Sequence, residues 1–198
     1  MKKRIWLSVL AAAVVIAGGV SWWVSRYHVV PIIMYHHVTR LDSPQPDTVS
    51  PERFEWHMAF LKKHHFTVLP LTAFIEALQS GIPVPRKSVV ITFDDGYEDN
   101  YTQAFPILKE YKFPATIFVV SDSVNTKGFL TTAQMKELLA NGIEIGSHTR
   151  THAYLPDTPV DVRRTEIFDS KRRLEEEIGV RVAHFAYPTG GFDEEIKE

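Results

Sequence analysis

The segment VVITFDDGY, residues 89–97, places two adjacent aspartates directly after an apolar run and directly before a glycine. A continuous apolar run of this length is typical of a strand that is buried on both faces of a parallel sheet. Successive strand residues point to opposite sides, so Asp94 and Asp95 can serve two different tasks in one site. Gly96 allows the backbone to turn sharply after them. An acidic turn that caps the following helix is the alternative interpretation.

The composition limits the class of protein. The 198 residues are 44% hydrophobic and 23% charged, which is ordinary for one globular domain. The 22 Lys and Arg residues against 24 Asp and Glu residues give a net charge of -2, so the charge offers no support for nucleic acid as a partner. Because the chain has no cysteine, it forms no disulfide, and any metal site must use His, Asp or Glu.

The first 28 residues differ from the rest of the chain. Residues 5–24 carry no charge and follow Lys2, Lys3 and Arg4. As a helix, this segment is long enough to cross a bilayer core of about 30 Å. We predict an uncleaved single-pass membrane anchor with its basic tip in the cytoplasm, and residues 29–198 on the extracytoplasmic side of the cell membrane. Secretion after cleavage of a signal peptide is the alternative.

Residues 29–198 alternate between short apolar runs and amphipathic segments of helix length. Strands are predicted at residues 29–35, 66–69, 89–93, 115–120, 143–146 and 184–187, and helices after Ser50 and at 72–80, 132–140 and about 160–178. This alternation predicts parallel strands in an open doubly wound sheet or a (β/α) barrel. Polar side chains follow several strands, and in a barrel these strand ends meet around one mouth. The pattern therefore favours the barrel.

The chain is short for a complete barrel. Even compact barrels of eight units need about 200 residues, more than residues 29–198 provide. The last residues, GFDEEIKE, are typical of the start of another helix. We therefore expect a barrel that is truncated at its C-terminal end.

A second motif adds candidate metal ligands to the acid pair. In SHTRTH, residues 147–152, His148 and His152 have the i, i+4 spacing that puts two imidazoles on one face of a helical turn. Two histidines and one carboxylate are ligands that zinc accepts in catalytic sites, with room left for water and substrate. Taken alone, a His-x-x-x-His pair is more often structural or accidental. Together with the acid pair, it predicts a catalytic metal beside a second carboxylate that can act as a base.

These two motifs resemble a known family. TFDDGY at 92–97 and SHTRTH at 147–152 resemble the first two signature motifs of the polysaccharide deacetylases, the NodB-homology domain of carbohydrate esterase family 4. PIIMYHHV at 31–38 and FPATIFVV at 113–120 are similar to the branch that acts on poly-N-acetylglucosamine-type exopolysaccharides. The resemblance runs from about Val30 to the C-terminus, with its core motifs within residues 88–198. It implies a distorted (β/α) barrel of the deacetylase type behind the membrane helix.

The resemblance also implies an activity and a set of roles. The reaction would be metal-dependent hydrolysis of N-acetyl groups from a glucosamine-containing polysaccharide, with release of acetate. Carried over by position, Asp94 is the catalytic base, and Asp95, His148 and His152 are the ligands of a divalent metal. Zinc is the expected metal, while cobalt, nickel and manganese stay open. No organic cofactor is implied.

The chain departs from the family pattern at two places. The third motif, often Arg-Pro-Pro-Tyr-Gly, is matched by AYPTG at 186–190, which lacks the Arg and the later Tyr. Relatives also carry a Leu-x-x-His segment whose histidine is the general acid, and none follows residue 190. His36 or His37 could replace that acid from the end of the first strand. The candidate substrate or oxyanion contacts are His36, Tyr97, Tyr187, Pro188 and Thr189.

Two other functions stay open from the sequence. One is a truncated or non-catalytic glycan-binding remnant that retains the metal site. The other is a peptidoglycan N-acetylglucosamine deacetylase with the same chemistry. The expected partners are an N-acetylglucosamine-containing polysaccharide and, through residues 5–24, the membrane.

Overall fold

The computed structural model describes residues 29–40, 43, 45–194 and 196, together with 16, 18 and 19. The chain divides into two compact units, Met1–Val30 and Pro31–Glu198. Apart from those three isolated positions, the predicted anchor at 5–24 lies outside the described residues. In the described part of the chain, no helix has the length and apolar character needed to cross a membrane.

The fold is built on a parallel sheet with β5 (Ser88–Phe93) at its centre. All six residues of β5 are buried, as its apolar run predicted. It pairs in parallel with β1 (Ile32–Tyr35), β4 (Thr67–Val68) and β6 (Thr116–Val119), and β6 pairs in parallel with β7 (Glu144–Ser147). Two short strands, β2 (His37–Val38) and β3 (Thr48–Val49), form a separate parallel pair. The predicted parallel α/β architecture is confirmed.

Helices connect these strands. They are α1 (Pro51–Lys63), α2 (Leu71–Ser80), α3 (Phe105–Tyr111), α4 (Thr132–Ala140), α5 (Val160–Arg164) and α6 (Ser170–Ile178). Turns of π-helix at Asn100–Ala104 and Thr165–Asp169 lead into α3 and α6, and short 3-10 turns lie at Ser121–Ser123, Leu155–Asp157 and Pro188–Gly190.

Local signals placed most helix ends correctly. The Ser50 side chain accepts a hydrogen bond from the Arg53 N–H at 3.3 Å, as expected of an N-cap. Gly81 ends α2 in the left-handed region, with φ 65°. Helix α3, which contains Pro106, was not among the predicted helices. Pro106 is the second residue of α3, directly after the π-helical turn Asn100–Ala104, whose geometry accommodates the missing N–H.

The core lies between the sheet and the helices. Phe54, Met58 and Leu61 form the buried face of α1, as their helical spacing predicted, and belong to the same cluster as β5. The Tyr35 ring lies 5.0 Å from the Phe54 ring, centroid to centroid, and 5.5 Å from the Phe93 ring. These contacts pack α1 against β1 and β5 in one hydrophobic core.

The sheet is open on one side, so the predicted barrel is not confirmed. At one edge, the predicted strand at 184–187 is reduced to a single parallel bridge between Phe185 and Ser147. Among the described residues, no pairing joins this segment to β1. Ile32 and Met34 on β1 remain 51% and 57% exposed. Both side chains line a cavity on this side of the sheet.

Candidate active site

A cavity of about 1060 Å³ lies along this open side of the sheet. Its wall combines polar residues at the strand ends with apolar residues from the strands and from α2. The wall consists of Ile32, Met34, His36, Asp47, Leu71, Ile75, Thr92, Asp94, Asp95, Phe118, His148, His152, Ala183, His184, Phe185, Ala186, Tyr187, Thr189 and Gly190. A cavity of this size can accept a sugar-sized group.

A tight turn after β5 presents the acid pair to the cavity. The Asp94 N–H donates to the Tyr35 carbonyl at 2.9 Å, which ties the turn to β1. Asp95 and Gly96 both adopt the left-handed conformation, with φ 72° and 75°. A Cβ at position 96 would lie 3.1 Å from the Val119 side chain, so both the backbone and the space require glycine there. Asp95 keeps its left-handed conformation at an energetic cost, a feature that clusters at functional sites.

The loop after β7 brings the two histidines together, but not as the helical turn that their spacing predicted. Thr149 and His152 have φ values of 65° and 63°, which a right-handed helix does not allow. The His148 N–H donates to the Val119 carbonyl at 2.9 Å, and the Ser121 N–H donates to the Thr149 carbonyl at 3.2 Å. The loop is thus fixed to the end of β6, and its imidazole centroids lie 5.0 Å apart.

Three candidate ligand atoms converge in the cavity. Oδ1 of Asp95 lies 3.2 Å from Nε2 of His152 and 3.5 Å from Nε2 of His148, and the ligand atoms all lie within 4.8 Å of one another. Oδ1 of Asp95 is buried and accepts no hydrogen bond from any described residue. The His148 Nδ1–H donates to the Ala186 carbonyl at 3.0 Å, which leaves Nε2 free to bind a cation. One carboxylate and two imidazoles with an unsatisfied oxygen between them fit a divalent cation.

Burial sets the protonation of two groups in the site. It raises the pKa of Asp94 to about 6, and the neighbouring Asp95 charge acts in the same direction, while His36 and His152 oppose the shift. Burial also lowers the pKa of His148, against the opposing effect of its bond to Ala186. The His148 imidazole is therefore neutral at neutral pH, which is the form that binds metals.

The remaining predicted site residues divide into two groups. His36, Tyr187 and Thr189 lie in the cavity wall, whereas Tyr97 and Pro188 are absent from it among the described residues. Tyr97 stacks on His37, with ring centroids 3.6 Å apart, and Pro188 is buried.

Sequence reasoning missed the residues that hold the segment from His36 to Val38. Asp99 accepts hydrogen bonds from His37 Nδ1 at 2.6 Å and from the Val38 N–H at 3.2 Å. Asn100, 1% exposed, donates to the His36 carbonyl at 2.7 Å. Both residues follow the acid pair in an acidic run that reads as a solvated turn. Their partners lie more than sixty positions away, so no local signal could have identified them.

Comparisons with known proteins agree with this geometry. Residues 81–198 match the family model of the polysaccharide deacetylases. The polysaccharide deacetylase YxkH of Bacillus subtilis is 38% identical to this chain over 167 residues. The match covers 84% of this chain and 58% of YxkH. A poly-beta-1,6-N-acetyl-D-glucosamine N-deacetylase of Staphylococcus aureus is 36% identical over 108 residues, or 52% of this chain and 37% of that protein.

The fold also matches a solved structure, that of the Streptococcus pyogenes deacetylase PplD in complex with acetate. The TM-score is 0.81 at 30% sequence identity, and the match covers 86% of this chain and 79% of PplD. Of the two curated relatives, the chain spans 58% of the length of YxkH and 37% of the length of the Staphylococcus aureus protein, less than two thirds in each case. The region matched by the family model contains both the acid pair and the histidine loop. The chain belongs to the polysaccharide deacetylase family.

Proposed function

We propose that the protein hydrolyses N-acetyl groups from a glucosamine-containing polysaccharide and releases acetate. The observation that supports this most is the convergence of Asp95, His148 and His152, whose ligand atoms lie within 4.8 Å of one another, in the same cavity as Asp94. The name of the Staphylococcus aureus relative favours poly-beta-1,6-N-acetylglucosamine as the substrate.

In this proposal the three converging side chains hold a divalent cation, with zinc first and cobalt, nickel or manganese as alternatives. When bound, such a cation supplies a Lewis acid that polarises the acetyl carbonyl and lowers the pKa of a water molecule. The Asp95 carboxylate supplies the negative charge that such a cation needs. His148 and His152 supply the nitrogen donors.

The other residues of the cavity handle protons and substrate. With its pKa raised to about 6, Asp94 is mostly ionised at neutral pH and can accept a proton from the attacking water. His36, in the same wall, is our candidate to donate a proton to the leaving amine. Tyr187 and Thr189 line the wall where the sugar or the developing oxyanion would lie.

We also propose that residues 1–28 anchor the protein in the cell membrane and that residues 29–198 form the catalytic domain outside the cytoplasm. The uncharged run at 5–24, with Lys2, Lys3 and Arg4 before it, supports this location.

Acetate release from partly acetylated glucosamine oligomers tests the function. We expect the purified 198-residue chain to release acetate and Asp95→Ala to lose this activity. A folded chain that releases no acetate but binds the oligomer would favour the glycan-binding alternative. Faster release from peptidoglycan than from linear poly-beta-1,6-N-acetylglucosamine would favour the peptidoglycan alternative.

A further inference from the structure

A buried glutamate outside the cavity wall contacts the histidine loop. Glu166 lies in the π-helical turn Thr165–Asp169 and is 5% exposed. Its Oε2 accepts hydrogen bonds from the Arg150 N–H at 2.9 Å and the Thr151 N–H at 2.8 Å. Its Oε1 accepts from the Thr151 hydroxyl at 2.9 Å. All three donors belong to the residues between His148 and His152.

The loop needs such a partner because its path is unfavourable on its own. Thr149 and His152 occupy the left-handed region, at a cost of about 1–3 kcal/mol each. Arg150 and Thr151 lie outside helices and strands, so their N–H groups have no ladder partner. The carboxylate of Glu166 satisfies both groups at once.

A second residue of the same helical segment supports the loop. Ser170, one turn after Glu166 and fully buried, donates its hydroxyl to the Thr149 carbonyl at 2.9 Å. The hydroxyls of Ser170 and Ser147 also lie 2.8 Å apart. The loop is therefore held from one side by the segment that carries Glu166 and from the other by the end of β6.

We infer that Glu166 is a positioning residue for the proposed metal site. Its carboxylate fixes the backbone between the two histidines so that both Nε2 atoms converge on Oδ1 of Asp95. This inference rests on the proposed function, because it assumes that these three atoms bind a cation. Groups that orient metal ligands typically change metal affinity by about 10- to 100-fold when they are removed.

The chain offers a matched control in Glu144. Its Oε2 accepts from the Leu71 N–H at 3.0 Å, the Thr72 N–H at 3.4 Å and the Thr116 hydroxyl at 2.8 Å. Glu144 thus also binds two consecutive N–H groups and a threonine hydroxyl, but at the start of α2 and not in the histidine loop. A purely structural role for Glu166 predicts that Glu166→Gln and Glu144→Gln behave alike.

The test measures Co²⁺ binding to the full chain by titration and by the visible absorption spectrum of the bound ion, well below the unfolding temperature. We expect Glu166→Gln to weaken Co²⁺ binding at least about 10-fold and to alter the spectrum, and Glu144→Gln to leave both unchanged. Thr151→Val removes one of the three contacts, and we expect it to weaken binding about five-fold. It serves as the test if Glu166→Gln does not fold.

Hydrogen exchange supplies a readout that needs no cation. In the cation-free protein, we expect the Arg150 and Thr151 amides to exchange faster in Glu166→Gln than in the wild type. Unchanged affinity in Glu166→Gln and Thr151→Val, or equal losses in Glu166→Gln and Glu144→Gln, would overturn the inference alone. A wild-type chain that binds no Co²⁺ would overturn the proposed metal site and this inference with it.

Discussion

At the scale of single residues, neighbouring aspartates of one motif have different surroundings. The Asp94 N–H donates to the Tyr35 carbonyl of β1. Burial raises the pKa of the Asp94 carboxyl to about 6. Asp95 sits in the left-handed region with its Oδ1 buried between two imidazoles. The same side-chain chemistry can therefore serve as a base at one position and as a ligand at the next.

Separate substitutions of the two aspartates should divide these roles. We expect Asp95→Ala to lower Zn²⁺ affinity by at least about 100-fold, because it removes a charged ligand, and Asp94→Asn to retain the metal. Metal analysis of the purified variants after dialysis measures this difference. Equal metal content in Asp95→Ala and the wild type would contradict the assignment.

The raised pKa of Asp94 predicts a pH dependence of stability in the metal-free protein. Its ordinary value is 3.8 and its folded value about 6, so between these values the folded state binds more protons than the unfolded state. The free energy of unfolding should therefore fall as the pH rises through this window, by up to about 3 kcal/mol.

Urea unfolding of the chelator-treated protein at several pH values between 4 and 7 measures this dependence. Asp94→Asn, which cannot ionise, is the control, and its free energy of unfolding should not show this fall with rising pH. The explanation would be wrong if both proteins followed the same pH profile.

At the scale of elements, β6 and β7 approach closely enough to require a glycine. A Cβ on Gly146 would lie 2.5 Å from Cδ1 of Phe118 and 3.2 Å from the His184 carbonyl oxygen. That carbonyl accepts the Ser147 N–H at 2.9 Å, which joins the Phe185 segment to β7. The absence of a side chain at position 146 therefore lets the Phe118 ring and the His184 backbone pack against β7.

We expect Gly146→Ala to lower the free energy of unfolding by about 1–3 kcal/mol through overpacking against Phe118. Denaturant unfolding measures the loss. Phe118→Leu removes the clashing ring atoms, so the double variant should lose less than the sum of the two single variants. Additive losses would show that the two positions do not interact.

At the scale of the whole molecule, the open side of the sheet determines what the site can bind. The cavity is lined by the residues of the converging ligand atoms and also by Ile32, Met34 and Phe185, so its wall combines polar and apolar groups. Sites of this kind bind the apolar faces of a ligand and orient it by a few polar groups.

The proposed membrane anchor at residues 5–24 predicts where the whole molecule is found in a cell fractionation. We expect the full chain to remain in the membrane fraction after alkaline extraction with residues 5–24 intact. Val14→Asp together with Val15→Asp should reduce this retention, because each charge costs about 2.5–3.5 kcal/mol at the centre of a membrane helix. Val29→Asp, outside the segment, is the control. Recovery of a soluble protein whose N-terminus lies beyond residue 24 would instead indicate a cleaved signal peptide.

The sequence by itself determined the features that depend on neighbouring residues. The buried strand before Asp94, the Ser50 cap, the end of α2 at Gly81 and the buried face of α1 all follow from side chains within one or two turns of each other. The two motifs also identified the family and the four side chains that the cavity brings together.

Only the tertiary structure decided how those side chains meet. The histidines converge through a left-handed loop that Glu166 holds from fifteen and sixteen positions away, not through a helical turn. Likewise, the sheet stays open between β1 and the Phe185 segment, and the truncated barrel that the alternating pattern and the chain length favoured is not confirmed. Both features are decided by which residues far apart in the chain form hydrogen bonds with each other and which do not, and periodicity carries no information about such partners.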